Sequence, residues 1–443
     1  MKRLFTLLLI LLIPSFLSAQ DKGQLEFTLD DCLEIALTKN KDLRMEQLNV
    51  ESASASVTSA FGDFLPSVYV SANYSRVIRE QPYVYYQGQL FPTSTNEKNS
   101  YSINAGASLN IFNGFARESN YSGAQSNYKS NLLSSQHIEK VTTYQVYDLF
   151  IDVIRKKRIL DIRKEDIASG RKELERIQAQ HEAGMIPIGI VYSQETDVGN
   201  REYSLVVAEN DYDIAKTNLL ITMGMSPDLD AKFLDNDLPD DVDNAEVERF
   251  NKEYSLSDGL IKEAFANRLD HQSRMAYLDY AEENVDIAQS SYYPTIDLGL
   301  NWRWGNYELN NFSELSGLNL GINFSYFIFN NFNTTEAVQK AKVGYEQTLI
   351  GKEKLDQTIR QNVLMSFYNL DAAEKQLDIT QKALRAAEMN NRSFEERFKV
   401  GTASITDKIV ANTQYLQAQI NRINAIYSYF LAQKQVLFSI GKL

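Results

Sequence analysis

Apolar and polar residues alternate in four segments of the chain, each roughly as long as a strand that crosses a membrane at a tilt. The clearest segment has apolar residues at every second position and small polar residues between them. Its apolar positions are Tyr101, Ile103, Ala105, Ala107, Leu109 and Ile111. The other three segments cover 68 to about 74, 296 to about 304 and 318 to 328. A period of two residues predicts β-strands with one apolar face.

The long stretches that follow these segments predict helices. One runs without proline from Asn113, a candidate cap, to about Glu182, and its equivalent starts at Asn330 or Asn333 and runs to about Lys399. Nearly 70 helical residues would span about 100 Å, more than a compact domain needs. Returning helices are predicted from about 188 to 223 and from 404 to 440.

Apolar residues in the second pair of helices recur every seven positions, which favours a coiled assembly. They are Val363, Leu370, Leu377, Leu384, Ile409, Leu416, Ile423, Phe430 and Leu437. An ordinary helical bundle is the alternative. It is disfavoured because these helices continue into strands at one end and into glycine turns at the other.

The chain also repeats itself. The segment Leu109–Phe115 aligns with Tyr326–Phe332 at an offset of 217, and the same offset relates Gly184 to Gly401. Upstream, 29–66 matches 256–294 at an offset of 227 to 228. Two copies of one structural unit are therefore predicted.

The N-terminus has the features of a secretory signal peptide. Lys2 and Arg3 precede an apolar run at 4–17 that ends in Ser18-Ala19. Cleavage after residue 19 would change the formal net charge from −13 to −15 by removing those two cations. Cys32 is the only cysteine, which excludes a disulfide within the chain and favours a packing role on the first helix.

The strands are interpreted as membrane strands. For one hairpin, packing on a soluble core would be preferred, but here the polar face is made of small residues and carries Asp297 and Arg303. Apolar outward and polar inward is typical of a membrane barrel. Aromatic residues at the strand ends fit interfacial girdles. These are Tyr74, Tyr101, Phe112, Trp302, Trp304 and Phe329.

Four strands cannot close a barrel, and lipid does not tolerate an open sheet edge. Two chains would give eight strands with a filled interior, whereas three would give twelve strands and a lumen. The predicted fold class is thus an α+β membrane protein, internally duplicated. In it a trimeric 12-stranded β-barrel, with four strands per subunit, continues into a long α-helical coiled-coil barrel.

Two glycine turns, 182–187 and 399–404, end the long helices. Pro187 and Ser404 can start the returning helices. A helical hairpin explains these turns as structure. Their apolar residues Met185, Ile186, Val400 and Ala403 are also predicted to be exposed and to form a docking surface for the helical tip of a partner.

The C-terminal segment Arg397–Asp407, followed by Tyr415–Ala418, resembles the TolC family of outer-membrane efflux proteins. Leu65-Pro66, Tyr293-Pro294 and Asn113-Gly114 resemble corners of the same family between helices and strands. The resemblance implies a homotrimer in the bacterial outer membrane with a long periplasmic tunnel. It also implies partnership with a periplasmic adaptor and an inner-membrane pump, of the resistance-nodulation-division or ABC type, for efflux or type I secretion.

On this basis the chain is divided into eight parts. They are a signal peptide (1–19), a periplasmic helix (20–65), the first β-hairpin of the barrel (66–112), a long helical hairpin (113–223), an acidic linker or equatorial segment (224–254), a second periplasmic helix (255–293), the second β-hairpin (294–329) and a second long helical hairpin (330–443). The linker is strongly acidic, and a solvated loop is favoured over a cation site.

Particular residues are singled out by the family pattern. The resemblance makes Asp407 a candidate for gating the periplasmic entrance, although the next acidic position of the family is Val410 here and the first-copy equivalent is Ile190. The candidate adaptor-docking turns are Gly184, Met185, Ile186, Val400, Gly401, Thr402 and Ala403. The candidate corners are Pro66, Gly114 and Pro294.

Other classes of function find little support. His137, His181 and His271 are isolated, and no phosphate loop or nucleophile elbow is present, so neither an enzyme nor a cofactor or metal site is predicted. The acidic balance argues against nucleic-acid binding. A trimeric coiled-coil adhesin is the rival, but its anchor strands lie together at the C-terminus. Efflux and secretion stay open, as does the substrate.

Overall fold

The computed structural model describes residues 25–78, 83–92, 97–235 and 241–443. The predicted signal peptide and the linker residues Asp237, Pro239 and Asp240 lie outside these ranges. The helices are α1 (Leu29–Lys39), α2 (Lys41–Gly62), α3 (Ala116–Glu182), α4 (Ile188–Thr222), α5 (Asn244–Glu253), α6 (Asp258–Asn267), α7 (Leu269–Ser290), α8 (Asn333–Lys399) and α9 (Ile405–Ser439). The strands are β1 (Leu25–Phe27), β2 (Ser67–Arg76), β3 (Tyr83–Tyr86), β4 (Gln89–Pro92), β5 (Asn99–Phe112), β6 (Ala231–Phe233), β7 (Thr295–Asn306) and β8 (Ser316–Ser325). Among the described residues, no helix combines the length and apolar character required to cross a membrane.

The helices are as long as the proline-free stretches predict. Helices α3 and α8 each contain 67 residues, and the returning helices α4 and α9 each contain 35. At 1.5 Å per residue, α3 and α8 are about 100 Å long. Several of the seven-residue repeat positions, such as Leu370, are buried between α8 and α9.

The predicted cap at Asn113 is wrong in position. Gly114 and Phe115 both have left-handed backbones, so α3 begins only at Ala116. The Asn113 side chain still accepts a hydrogen bond from the backbone N–H of Arg117 at 3.3 Å. In the second half, Asn331 and Phe332 take the same left-handed conformation, and α8 begins at Asn333.

The four long strands form one antiparallel sheet in the order β2-β5-β7-β8. The register places apolar residue opposite apolar residue through all four strands. One such row is Val70, Ala105, Trp302 and Leu318. Strands β2 and β8 are the edges, and neither has a partner on its outer side among the described residues.

Two details of the strands differ from what the alternating sequence pattern predicts. A bulge in β5 brings Phe112, and not Ile111, opposite Ile296. Strand β8 ends at Ser325, so residues 326–329 lie beyond it with largely exposed side chains. Strand β8 ends earlier than β5 because it is paired on one side only, whereas β5 is held between two strands.

Trp304 does not form part of an aromatic girdle. Its side chain is fully buried, its ring stacks on Phe312 with centroids 4.3 Å apart, and its Nε1 donates to the backbone oxygen of Asn311 at 3.3 Å. The loop after β7 folds over it, which local alternation could not indicate. Between β2 and β5 lies a short hairpin, β3–β4, that the sequence analysis did not predict.

The main core lies midway along the helices. Phe150 of α3, Leu219 of α4 and Phe233 of β6 are fully buried in it, together with residues of α1 and β1. A second core joins α8 and α9, and Phe250 of α5 packs against it. Each pair of long helices thus has its own central core.

The described part of the acidic linker is not the solvated loop that was predicted. Strand β6 pairs in parallel with β1, and α5 packs on the second core. Its acids make ion pairs: Asp235 lies 2.9 Å from Arg158, and Asp241 pairs with Arg422, of which only 9% of the side chain is exposed. The linker also contains apolar residues, notably Phe233 and Phe250, which pack on the two cores. Counting only its acidic residues does not reveal this packing.

In each half, one residue separates two consecutive short helices, and its side chain donates a hydrogen bond to the C-terminal end of a returning helix. Asn40 separates α1 from α2, and its side chain donates to the backbone oxygen of Thr222 at 2.8 Å. Arg268 separates α6 from α7 and donates to the backbone oxygen of Ser439 at 3.3 Å. After α4, Gly224 has φ +69°, and a Cβ there would lie 2.2 Å from the oxygen of Lys39.

We expect Gly224→Ala to destabilise the protein by roughly 2–4 kcal/mol, since it combines a left-handed alanine with a backbone clash. Thermal unfolding followed by helical circular dichroism would measure the shift. Gly199→Ala, within α4, is the control, because nothing lies within 4 Å of its added Cβ. It should change stability by no more than about 1 kcal/mol. Equal melting temperatures for both variants would contradict the proposed crowding at Gly224.

Candidate functional site

One face of the four-stranded sheet is apolar and exposed. Val68, Val70, Leu320 and Ile322 are each more than 70% exposed, although they are aliphatic. They belong to the face on which the register aligns apolar residues across all four strands. So large a continuous apolar patch is a contact surface, and its height of one strand length suits a bilayer.

The opposite face consists of small polar residues tied to one another across the strands. The Ser67 and Ser108 hydroxyls are 2.7 Å apart. The Asn110 amide donates to Asp297 at 2.8 Å. Asp297 and Arg303 are the only charged residues on this face of the described sheet, so it is nearly neutral. Such a face suits contact with water, whereas the apolar face suits contact with lipid.

The corners join the sheet to the helices. Pro66 and Pro294 each directly precede a strand, and Gly114 follows β5. A Cβ on Gly114 would lie 2.5 Å from the oxygen of Ser290, so this corner requires glycine for space as well as for φ. Arg117 binds the corner from the helix side by donating to the oxygen of Asn110 at 2.8 Å. The strands are thereby fixed in direction relative to α3.

At the opposite end of the helices, the two glycine turns share one backbone geometry. Gly184 and Gly401 have φ near +75°, and the residue after each donates to a carbonyl five positions earlier. This is the glycine C-cap that the sequence predicts. Met185 and Val400 are both 73% exposed at these tips.

Ile186 and Ala403, predicted to be exposed, are only half-exposed. Ile186 packs against an apolar cluster whose buried members are Ile177, Val191 and Ile405. The cluster joins α3, α4 and α9, so it fastens one hairpin to the other just inside the tips. Ile190, the first-half equivalent of Asp407, also packs against this cluster.

Asp407 lies in the first turn of α9 and forms a capping box with Ser404. Its carboxylate accepts from the Ser404 hydroxyl at 2.8 Å and from the Ser404 N–H at 3.1 Å. These hydrogen bonds hold the pKa of Asp407 below its usual value. The side chain is exposed, so its negative charge is both structural and available at the surface. Val410 is about half-exposed one turn further on.

A buried ionic cluster, not predicted from the sequence, lies above the tips. The guanidinium of Arg201 on α4 pairs with Asp166 of α3 and, at 2.7 Å, with Asp197 of its own helix. Asn412 of α9 donates to Asp166 at 3.4 Å. Burial raises the pKa of Asp166 despite the facing guanidinium. No local signal reveals this cluster, because a charged residue next to an aliphatic one, as at Asp166-Ile167, is ordinary in an amphipathic helix.

A second ionic contact fastens the hairpins nearer the tips. Lys408 of α9 lies 2.6 Å from Glu173 of α3, and Arg176 reaches the same carboxylate at 2.6 Å. Burial alone would raise the pKa of Glu173, but the hydrogen bonds from Arg176 and Lys408 hold it below its usual value. Lys408 also lies 5.1 Å from the ring centre of Phe398, which belongs to the apolar cluster.

The histidines do not converge. His181 contacts the oxygen of Ile186, His271 contacts Asp356, and His137 packs beside Phe438. Across the described ranges there is also no group of three or more His, Cys, Asp or Glu side chains that could hold a metal ion.

A sheet with one apolar and one polar face, joined to helices about 100 Å long, is typical of a membrane channel protein with a long extramembrane extension. The family model for outer membrane efflux proteins matches residues 32–225 and 260–442. The chain belongs to this family, which confirms the predicted resemblance. It is an outer-membrane efflux protein, and the family is one of transport channels and not of enzymes.

Two curated relatives and one solved structure illustrate the similarity. Outer membrane protein TolC of Vibrio cholerae is 23% identical, over 89% of this chain and 86% of the relative. Outer membrane efflux protein BepC of Brucella suis is 19% identical, over 98% of this chain and 89% of the relative. The CmeC outer membrane channel of Campylobacter jejuni superposes with a TM-score of 0.80 at 16% identity, covering 94% of this chain and 85% of that one.

Replacing Arg201 with methionine would leave Asp166 buried without its cation. We expect a local loss of about 3–5 kcal/mol, measured as faster amide hydrogen exchange in α3 and α4 around residues 166 and 201. Lys382→Met removes an ion pair to Asp378 whose side chains are 75% and 63% exposed, and it serves as the control. That change should cost less than about 1 kcal/mol. Equal protection in the two variants would show that the buried pair contributes nothing.

Proposed function

We propose that three copies of this chain form the exit channel of a tripartite efflux or type I secretion system. The channel conducts substrates passively from a periplasmic adaptor and an inner-membrane pump to the exterior. The observation that carries the proposal is the sheet: its apolar face is continuous, yet both of its edges, β2 and β8, lack a partner. In lipid such edges must be paired, and only other chains can supply the missing strands.

The edges are compatible with one another. Strand direction alternates across β2, β5, β7 and β8, so β2 and β8 run in opposite directions. Strand β8 of one copy can therefore extend the antiparallel pattern through β2 of the next. Twelve strands close with a lumen, whereas eight would be filled by their own side chains.

The helices support the same arrangement. Neighbouring helices follow the order α2, α3, α7 and α8, which leaves α2 and α8 at the two sides. Both carry exposed apolar residues at the same height above the sheet, including Met45 and Phe61 on α2 and Val343 and Ile350 on α8. These side chains would be covered if α8 of one copy packed against α2 of the next. The equal lengths of α3 and α8, and of α4 and α9, support the internal duplication.

The glycine turns are the proposed adaptor-docking surface. Met185 and Val400 project from the two tips of each copy, and the left-handed glycines Gly184 and Gly401 fix their direction. Ile186 and Ala403 support the turns from beneath and, with Thr402, complete the surface. Three copies would present six such tips to an adaptor.

Control of the periplasmic entrance is assigned to the same end. The apolar cluster, the Lys408–Glu173 pair and the Asn412–Asp166 hydrogen bond all join the two hairpins of one chain, so the width of the entrance depends on them. Asp407 adds an exposed negative charge beside the turn, in addition to capping α9. The acidic linker braces the helices at mid-height through Asp235 and Asp241.

The proposal is tested directly by reconstituting the protein in planar bilayers. We expect a small, cation-preferring conductance, because the charge of −13 in the full chain is strongly acidic and charges in a narrow lumen are poorly screened. The barrel wall is nearly neutral, so this preference would come from the helical tunnel. The detergent-solubilised particle should have the mass of three chains. A monodisperse monomer, or a clear preference for anions, would contradict the proposal.

Gly401→Pro tests the docking turn. Proline cannot adopt φ +77° and removes the N–H that Gly401 donates to Phe398, so the tip must change shape. Export measured in cells should fall to the level of a deletion strain, whereas the trimer band on a semi-native gel should persist. Thr406→Ala, at an exposed position in the first turn of α9 and outside the proposed surface, is the control and should export nearly normally. Normal export by the proline variant would rule out docking at this turn.

A further inference from the structure

Tyr69 is the one aromatic residue on the polar face of the four long strands, as the structure describes them. Every other residue on that face is serine, threonine, asparagine or glycine, apart from Asp297 and Arg303. A large ring is unexpected among such small neighbours. If it pointed away from the sheet, it would be the most prominent side chain of the face.

Instead, the ring lies along the sheet. Tyr69 is paired with Gly106 on β5, and Gly106 is paired with Asn301 on β7. The hydroxyl of Tyr69 donates to Oδ1 of Asn301 at 2.9 Å, although Asn301 is two strands away. Adjacent strands are separated by about 4.8 Å, so only a ring that lies flat across β5 can make this bond.

Gly106 provides the space for this position. A Cβ at residue 106 would lie 2.7 Å from Cε1 of Tyr69 and 2.6 Å from Oδ1 of Asn301, closer than non-bonded atoms approach. The backbone of Gly106 does not require glycine, since its φ is not positive. Two other glycines of the same face, Gly317 and Gly321, have nothing within 4 Å of an added Cβ. Of these three glycines, only Gly106 is covered by a ring.

We infer that Gly106, Tyr69 and Asn301 set the free width of the barrel lumen by holding the Tyr69 ring flat against the wall. The inference rests on the proposed function, in which the polar face lines the pore. Three copies would place three rings at one level of the barrel. A side chain at residue 106 would lift all three rings towards the axis, and the lumen would narrow from three sides at once.

Tyr69 is thus a specificity-determining residue for the size of the conducted substrate, and Gly106 and Asn301 are positioning residues for it. The hydrogen bond has a defined role. Asn301 fixes the free end of the ring, while Gly106 permits its middle to touch the sheet. Loss of either would allow the ring to swing into the pore.

The test is single-channel conductance in planar bilayers for the full-length trimer and its variants. Gly106→Ala should lower the conductance, whereas Gly321→Ala, on the same face but without a ring above it, should leave the conductance unchanged. The double variant Gly106→Ala with Tyr69→Ser should recover at least the wild-type conductance, because the lifted ring is gone. Tyr69→Phe, which keeps the ring without its hydrogen bond, should increase the open-channel current noise.

The outcomes separate this inference from the proposed function. Absence of any channel with the wild-type protein would overturn the proposed function and, with it, this inference. Wild-type channels together with unchanged conductance in Gly106→Ala would overturn the inference alone. So would an equal loss in Gly321→Ala, or a failure of Tyr69→Ser to restore the double variant, because either result would indicate general damage to the sheet.

Discussion

The structure depends on the need to satisfy backbone hydrogen bonds in a medium without water. Each unpaired N–H or C=O group in lipid costs several kcal/mol, so a sheet whose outer face is apolar cannot have free edges there. Both edges of the sheet in one copy are free. The rest of the proposed architecture follows: copies must join edge to edge, the closed sheet encloses a lumen, and the helices that continue from the corners extend that lumen.

The architecture could be predicted from the sequence because its signals are local and repeated. Alternation over about ten residues defines a strand by itself, and nearly 70 residues without proline define a helix whose length needs no knowledge of its neighbours. The glycine turns could also be predicted, since Gly184 and Gly401 take the left-handed backbone that the C-cap requires. The family resemblance was carried by these same segments.

The details that could not be predicted depend on contacts between distant segments. Trp304 fits a girdle by its place in β7, but the loop that buries it folds back from the next residues in a way that alternation does not encode. The linker was mistaken for a loop because its charge was counted and its few apolar residues were not. The Arg201–Asp166 pair joins residues 35 positions apart on different helices, and neither residue is unusual in its own helix. Asp407 was singled out only as a gating candidate, whereas its bond to Ser404 also gives it a structural task at the start of α9.

The corner at Gly114 marks a limit to the symmetry of the proposed duplication. Its counterpart in the second half is Asn331, which takes a similar left-handed backbone while carrying a side chain. Gly114 has no such freedom, because Ser290 of the other half lies against it. If the chain arose from two identical units, the two corner positions, 114 and 331, would originally have carried the same residue. The two halves have therefore become non-interchangeable at this corner, and swapping their corner residues would disturb one half far more than the other.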